Sequence, residues 1–319
     1  MAFPREVFVV GAARSAIGTF GGSLKDVPLA DLATLIVKNA LERSGAPAAS
    51  VGHLAMGTVI PTEPRDAYLS RVAAVNAGLS KETPAFNVNR LCGSGLQAII
   101  SASQAILLGD CEVAIGAGAE SMSRGAYLLP QARWGARLGD STMLDFVVGA
   151  LHDPFHKIHM GMTAENVAEK FGISRSMMDE LSVESHRRAA TAIAEGRFKS
   201  QIVPVVSAGK KGDVVFDTDE HVKAGTTMET LGKMRAAFKK DGAVTAGNAS
   251  GINDGSGAVV LASADAVKTH SLKPIARLVA YAHAGVEPTL MGIGPVPATK
   301  LVLQRAGLKT SDQIGRAHV

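Results

Sequence analysis

The sequence predicts an α/β protein, a layered sheet with helices packed on its faces. Three observations carry this. Strand-like and helix-like runs alternate through the first third of the chain. The chain is 46% hydrophobic but only 4% aromatic, with 34 glycines, so its core is made of small and aliphatic side chains that let backbones approach closely. That suits tightly packed α/β layers better than a β-sandwich. The length of 319 residues allows an ample core and one to three domains.

Val7 to Val10 has the continuous apolar character of a buried strand, followed by a turn through Gly18, Gly21 and Gly22. Residues 28–44 place Leu29, Leu32, Leu35, Ile36 and Leu41 at helical spacing, with Gly45 as a cap. Residues 94–108 form a second apolar helix almost without charge, expected to be buried on most sides. Val113 to Gly118 is a central strand, and the alternation points to a mostly parallel sheet. From 122 to 247 charge rises, Trp134 appears, and amphipathic helices are predicted at 163–171 and 175–195, so this region is an insertion over the core. The Gly/Ala/Val style returns at 248–265, with Gly257 to Leu261 as a strand. Residues 1–121 plus 248–274 are therefore assigned to one core domain and 122–247 to an inserted domain. A short repeat, Leu41-Glu42-Arg43-Ser44-Gly45 against Leu303-Gln304-Arg305-Ala306-Gly307, suggests a duplicated domain. Residues 275–319 would then open the second copy with a strand at 275–282 and a helix at 297–306.

The net charge of +4 is spread out, and no run of five or six Lys/Arg marks a nucleic-acid groove. Cys92 and Cys111 are too few for a disulfide framework. No signal peptide precedes Val7 and no run of 18 apolar residues predicts a membrane span, so a cytoplasmic protein is expected.

The chemistry concentrates at Asn89-Arg90-Leu91-Cys92-Gly93-Ser94-Gly95. Cys92 precedes small residues that open an apolar helix, where free amides and the helix dipole favour a thiolate. Gly93 and Gly95 leave room for a substrate and for backbone N–H groups to reach an oxyanion. A buried structural cysteine is the competing reading of the same residue. Cys111, beside Asp110 and Glu112 without a glycine cradle, reads as structural. His152, His156 and His159 have helical spacing, but Pro154 interrupts the run and no set of ligands is complete, so no metal is expected.

The Cys92 segment resembles the acylation site of the thiolase family. Further ordered matches are Arg14 to Phe20, Gly116 to Ser123, His159 to Asn166, Thr245 to Gly251 and Gly292 to Ala298, so the resemblance spans about residues 5 to 312. Leu151 to His156 and Thr62 to Asp66 are most similar to bacterial β-ketothiolases. The resemblance implies a layered αβαβα fold and a two-step, ping-pong exchange between CoA thioesters. In it the Cys92 thiolate takes an acyl group, which passes to the acetyl-CoA carbanion or back to CoA. It implies no metal or redox cofactor, and acyl-CoA and CoA as the partners. Carried over as CoA-binding are His159 and Met160 beside the pantetheine arm, Ser250 contacting it, Phe238 and Met291 as apolar walls, and Lys223 near the nucleotide. The apolar residues among them are equally read as ordinary core. Lys223 stands where the family often has Arg, and it lacks the planar fork that stacks on adenine. A homotetramer is also implied, with Tyr127 to Asp140 as either an assembly loop or a solvated one. A degradative long-chain 3-ketoacyl-CoA thiolase and an inactive CoA-binding fragment are the alternatives. The family's Asn-Glu-Ala-Phe, Gly-His-Pro and second-cysteine motifs are absent from these 319 residues, so no measurable thiolase turnover is expected of them. Ile314 to Val319 match a translated sequencing adapter and are expected to be artefactual.

Overall fold

The computed structural model describes residues 4–209 and 212–313, so Ile314 to Val319 lie outside the described residues. The strands are β1 (Val7–Arg14), β2 (Gly18–Thr19), β3 (Val51–Gly57), β4 (Ala85–Val88), β5 (Val113–Ser121), β6 (Tyr127–Leu128), β7 (Leu144–Asp145), β8 (Val205–Gly209), β9 (Gly212–Phe216), β10 (Asn253–Ser263) and β11 (Ala276–Arg277). The helices are α1 (Leu29–Ser44), α2 (Leu69–Asn76), α3 (Ser94–Leu108), α4 (Phe146–Ala150), α5 (Met160–Phe171), α6 (Arg175–Ala194), α7 (Met228–Gly232), α8 (Ala264–Thr269) and α9 (Pro295–Ala306).

The main sheet runs β11-β1-β10-β5-β3-β4, with β2 also paired to β10. The expectation of a mostly parallel sheet is corrected. β3 runs parallel to β4 and to β5, but β10 is antiparallel to both β1 and β5. The reason is topological: β10 returns after the long excursion through 122–247 and inserts between two strands already laid down. Alternation along each strand then fills two layers. Leu54, Met56, Ile115 and Val260 face α1 and α2, where Leu29, Ile36, Val37 and Leu69 complete the core. Ala55, Ala114 and Leu261 face α3, meeting Ala98, Ala102 and Ile106.

α1 forms where predicted because its apolar residues recur on one face, and it stops at Gly45, which adopts the left-handed φ of 72°. Arg43 in its last turn donates to the carbonyls of Ser200 and Gln201, both at 2.9 Å, tying the inserted region to the core. A second tie is bidentate: Arg14 donates to Asp219 at 2.8 and 3.0 Å, and Asp219 also accepts the Ile17 N–H at 2.8 Å.

α3 departs from expectation. Its sheet-facing side is buried, but Leu96 is 62% and Leu108 is 78% exposed. The Leu91–Leu108 stretch is long and apolar enough to cross a membrane on length and composition alone, yet its inner face packs on the sheet. Leu278 and Tyr281 reach it from the following segment, where the Gln104 amide donates to the Tyr281 hydroxyl at 2.8 Å. That segment also differs from prediction. Only Ala276–Arg277 is strand, added to the edge of β1, because the chain then turns to lay Leu278 and Tyr281 beside α3.

Candidate functional site

Two constellations contain the residues singled out from sequence. The first surrounds Cys92. Leu91 has a φ of 46°, a left-handed conformation that leucine rarely adopts. Local hydrogen bonds enforce it. Asn89 Oδ1 accepts the Leu91 N–H at 2.9 Å. Ser94 Oγ accepts the Arg90 N–H at 2.8 Å and donates to the Leu91 carbonyl at 2.6 Å. The Gly93 N–H donates to the Arg90 carbonyl at 3.0 Å. This turn presents an exposed Cys92 just ahead of α3, whose first-turn amides have no acceptor inside the helix.

The start of α3 is seated deep against the sheet. A Cβ on Gly57 would lie 2.5 Å from the Ser94 carbonyl carbon, and one on Gly116 2.5 Å from the Ile99 Cα. Gly118 faces Gly95 in the same way, its Cβ position 3.4 Å from the Gly95 Cα. A Cβ at Gly95 itself would meet nothing within 4 Å, which leaves open space beside Cys92. Glu120, at the end of β5, accepts the N–H groups of Val59 and Ile60 at 3.0 and 2.9 Å and fixes the chain leaving β3. Burial pushes its carboxyl up to about 7 despite those donors, and the nearby Asp66 charge adds to the rise.

Cys111 is the contrasting case. It is half-buried just beyond the other end of α3. Burial, then the charges of Asp110 and Glu112, push its thiol up to about 11.

The second constellation combines the inserted region with the Ser250 turn and the Pro288–Ile293 turn. His159 is the N-cap of α5, its Nδ1 accepting the Gly161 N–H at 3.0 Å. Its ring stacks on Phe238 with centroids 4.7 Å apart and meets His152 edge-on at 5.1 Å. Burial, then the His152 charge, holds it below the ordinary histidine range. The Phe238 ring occupies the place of a missing Gly161 side chain. Met160 follows at the first position of α5, half-buried. Ser250 is exposed on a turn held from behind by Asn248, whose amide donates to Asp179 at 2.9 Å and to the Ala243 carbonyl at 3.1 Å. Glu165 of α5 accepts the N–H groups of Ala243 and Val244 at 2.9 and 2.8 Å. Lys223 is exposed, and its backbone N–H donates to His186 Nδ1 at 3.2 Å. Met291 is 42% exposed on the turn Pro288–Ile293. That turn is linked to α5 where the Asn166 amide donates to the Thr289 carbonyl at 3.1 Å.

The structure thus brings His159, Met160 and Phe238 together, sets Ser250 and Met291 on segments tied to α5 or α6, and leaves Cys92, just ahead of α3, without a hydrogen bond or ring contact to any of them. His186, Glu165 and Asp179 were not singled out from sequence, since no local spacing signals a support that acts through a distant loop. Among the described residues no three His, Cys, Asp or Glu side chains gather as a metal site. His156 is instead bonded to Asp153 at 2.7 Å.

Residues 7–265 match the family described as thiolase, N-terminal domain, and residues 272–315 match thiolase, C-terminal domain. The chain is 62% identical to beta-ketothiolase BktB of Cupriavidus necator, over 97% of this chain and 78% of that protein. It is 45% identical to an acetyl-CoA acetyltransferase of Syntrophomonas wolfei over the same shares. Human mitochondrial 3-ketoacyl-CoA thiolase, solved in complex with CoA, superposes with a TM-score of 0.94 at 42% identity, covering 98% of this chain and 78% of that one.

Proposed function

The chain belongs to the thiolase family, and we propose from that premise that it is an acyl-CoA:acetyl-CoA C-acyltransferase of the β-ketothiolase kind with Cys92 as its nucleophile. The observation that carries the reading is the setting of Cys92: exposed, held by a strained turn, and placed directly before the start of α3, with open space at Gly95. The thiolate attacks the thioester carbonyl, a Cys92 thioester forms, and CoA leaves as its thiolate. Amides at the start of α3 stabilise the oxyanion as it develops. The acyl group then passes to a second acceptor, either CoA or the acetyl-CoA carbanion. Among the described residues no side chain hydrogen-bonds the Cys92 sulfur, so a base that would take the thiol proton is not among its contacts.

The same reading places CoA along the second constellation. His159, Met160, Phe238, Ser250 and Met291 line the pantetheine arm, and Lys223 meets the nucleotide end. No metal or redox cofactor enters this chemistry. The proposed division is a core of 1–121 plus 248–274, an inserted CoA-contacting domain of 122–247, and the opening of a second thiolase domain from 275. A cytoplasmic homotetramer completes the proposal, with the exposed Tyr127 and Trp134 in its assembly loop.

Incubation with acetyl-CoA and intact-mass analysis tests the core of this reading. It should give one acetyl group per chain, released by hydroxylamine, and none on a Cys92→Ser chain. Equal acetylation of the Cys92→Ser chain would remove Cys92 from the mechanism.

A further inference from the structure

His186 on α6 and His221 on the loop before Lys223 stack in an offset, near-parallel arrangement, with centroids 6.4 Å apart and planes at 19°. The pair stands between three segments. On one side His186 Nδ1 accepts the Lys223 N–H at 3.2 Å. The Lys223 carbonyl is held in turn by the N–H and hydroxyl of Thr226, at 3.1 and 2.8 Å. On the other side the His221 ring fills the space where Gly251 lacks a side chain, next to Ser250. The neighbouring residues of the loop are fixed independently, Asp219 by Arg14 and Glu220 by the Thr19 N–H at 2.8 Å. At Lys223 itself, the bond to His186 is the tie to a helix.

We propose that His186 is a positioning residue for CoA: its neutral Nδ1 holds the Lys223 peptide, and through His221 the same support reaches the Ser250 turn. This rests on the reading of Lys223 and Ser250 as nucleotide and pantetheine contacts. An imidazole can accept at Nδ1 only while that nitrogen carries no proton. Protonation therefore removes the bond to Lys223 and adds a positive charge beside it.

The titratable groups facing His186 from the loop are His221 and Lys223. On α6 itself, Glu184 is engaged by Arg187 and Arg188 at 2.6 and 2.7 Å. Burial, then the charges of His221 and Lys223, hold His186 below the usual histidine value. The support is thus intact at neutral pH and is lost only in acid, below the ordinary histidine range.

The test is equilibrium binding of CoA and of pantetheine, which lacks the nucleotide, to the full 319-residue chain at neutral and acid pH. His186→Phe keeps a ring but has no acceptor. His186→Asn keeps an acceptor near the Nδ1 position but does not titrate. Lys223→Ala reports on the underlying reading. The expected result is CoA binding weakened about fivefold by His186→Phe, with pantetheine binding unchanged. His186→Asn should bind CoA like the parent at neutral pH and lose less affinity in acid. If Lys223→Ala weakens CoA binding and His186→Phe does not, the positioning role is wrong and the Lys223 reading stands. If Lys223→Ala has no effect, or the parent chain does not bind CoA, that reading fails first and takes the inference with it. Equal weakening of CoA and pantetheine by His186→Phe would mean general damage to the fold and would also overturn the proposal.

Discussion

The two cysteines stand at opposite ends of one helix, and the comparison isolates what the fold does to a thiol. Cys92 precedes the first turn of α3, exposed and on a strained turn. Cys111 follows the last turn, half-buried between two acidic neighbours, with its thiol pushed up to about 11. The same helix dipole that favours a thiolate at its start disfavours one at its end. On the proposed reading, environment rather than residue type makes Cys92 and not Cys111 the nucleophile.

The sharpest break of this comparison is substitution of each cysteine in turn. Cys92→Ser should lower acetylation by acetyl-CoA at least about a hundredfold, whereas Cys111→Ser should leave its rate unchanged.

The next effect concerns the half-buried carboxyl of Glu120, which fixes the chain leaving β3. Glu120 has a folded-state value raised to about 7. Its stabilising contribution is therefore full below the ordinary carboxylate range and is lost as pH rises through about 7. The loss is on the order of 3 kcal/mol across that window. Denaturation midpoints across this range should fall with rising pH, and Glu120→Gln should flatten the slope.

Smaller again is the cost of crowding the helix seat. Gly116→Ala places a Cβ 2.5 Å from the Ile99 Cα and should destabilise the fold, by about 1–3 kcal/mol in urea titration. Gly95→Ala, with nothing within 4 Å, should be the mildest change in stability. A helical alanine even gains up to about 1 kcal/mol over glycine. Any loss of acetylation in Gly95→Ala would then report on space beside Cys92 and not on folding.

What was legible in the sequence followed local rules. α1 was readable to within a residue because its apolar spacing and Gly45 are both local signals. The helix opening just after Cys92 was readable for the same reason, whereas the left-handed Leu91 turn that Asn89 and Ser94 hold was not read. Strand direction was not, because β10 takes its place and polarity from where the chain returns after 247. The edge pairing of Ala276–Arg277 with β1 and the exposed outer face of α3 are likewise tertiary outcomes. At the candidate CoA site, the motif residues were legible while their supports were not. His186 and His221 meet only because α6 and the Lys223 loop are folded against each other.

The central claim is that the start of α3, and not its end, is the reactive, CoA-facing site. Limited alkylation with iodoacetamide at neutral pH, with and without CoA, tests it most directly when each cysteine is followed by peptide mapping. Cys92 should be labelled first, CoA should slow its labelling, and Cys111 should remain largely unmodified in both samples. Labelling of Cys111 ahead of Cys92, or labelling of Cys92 indifferent to saturating CoA, would contradict it.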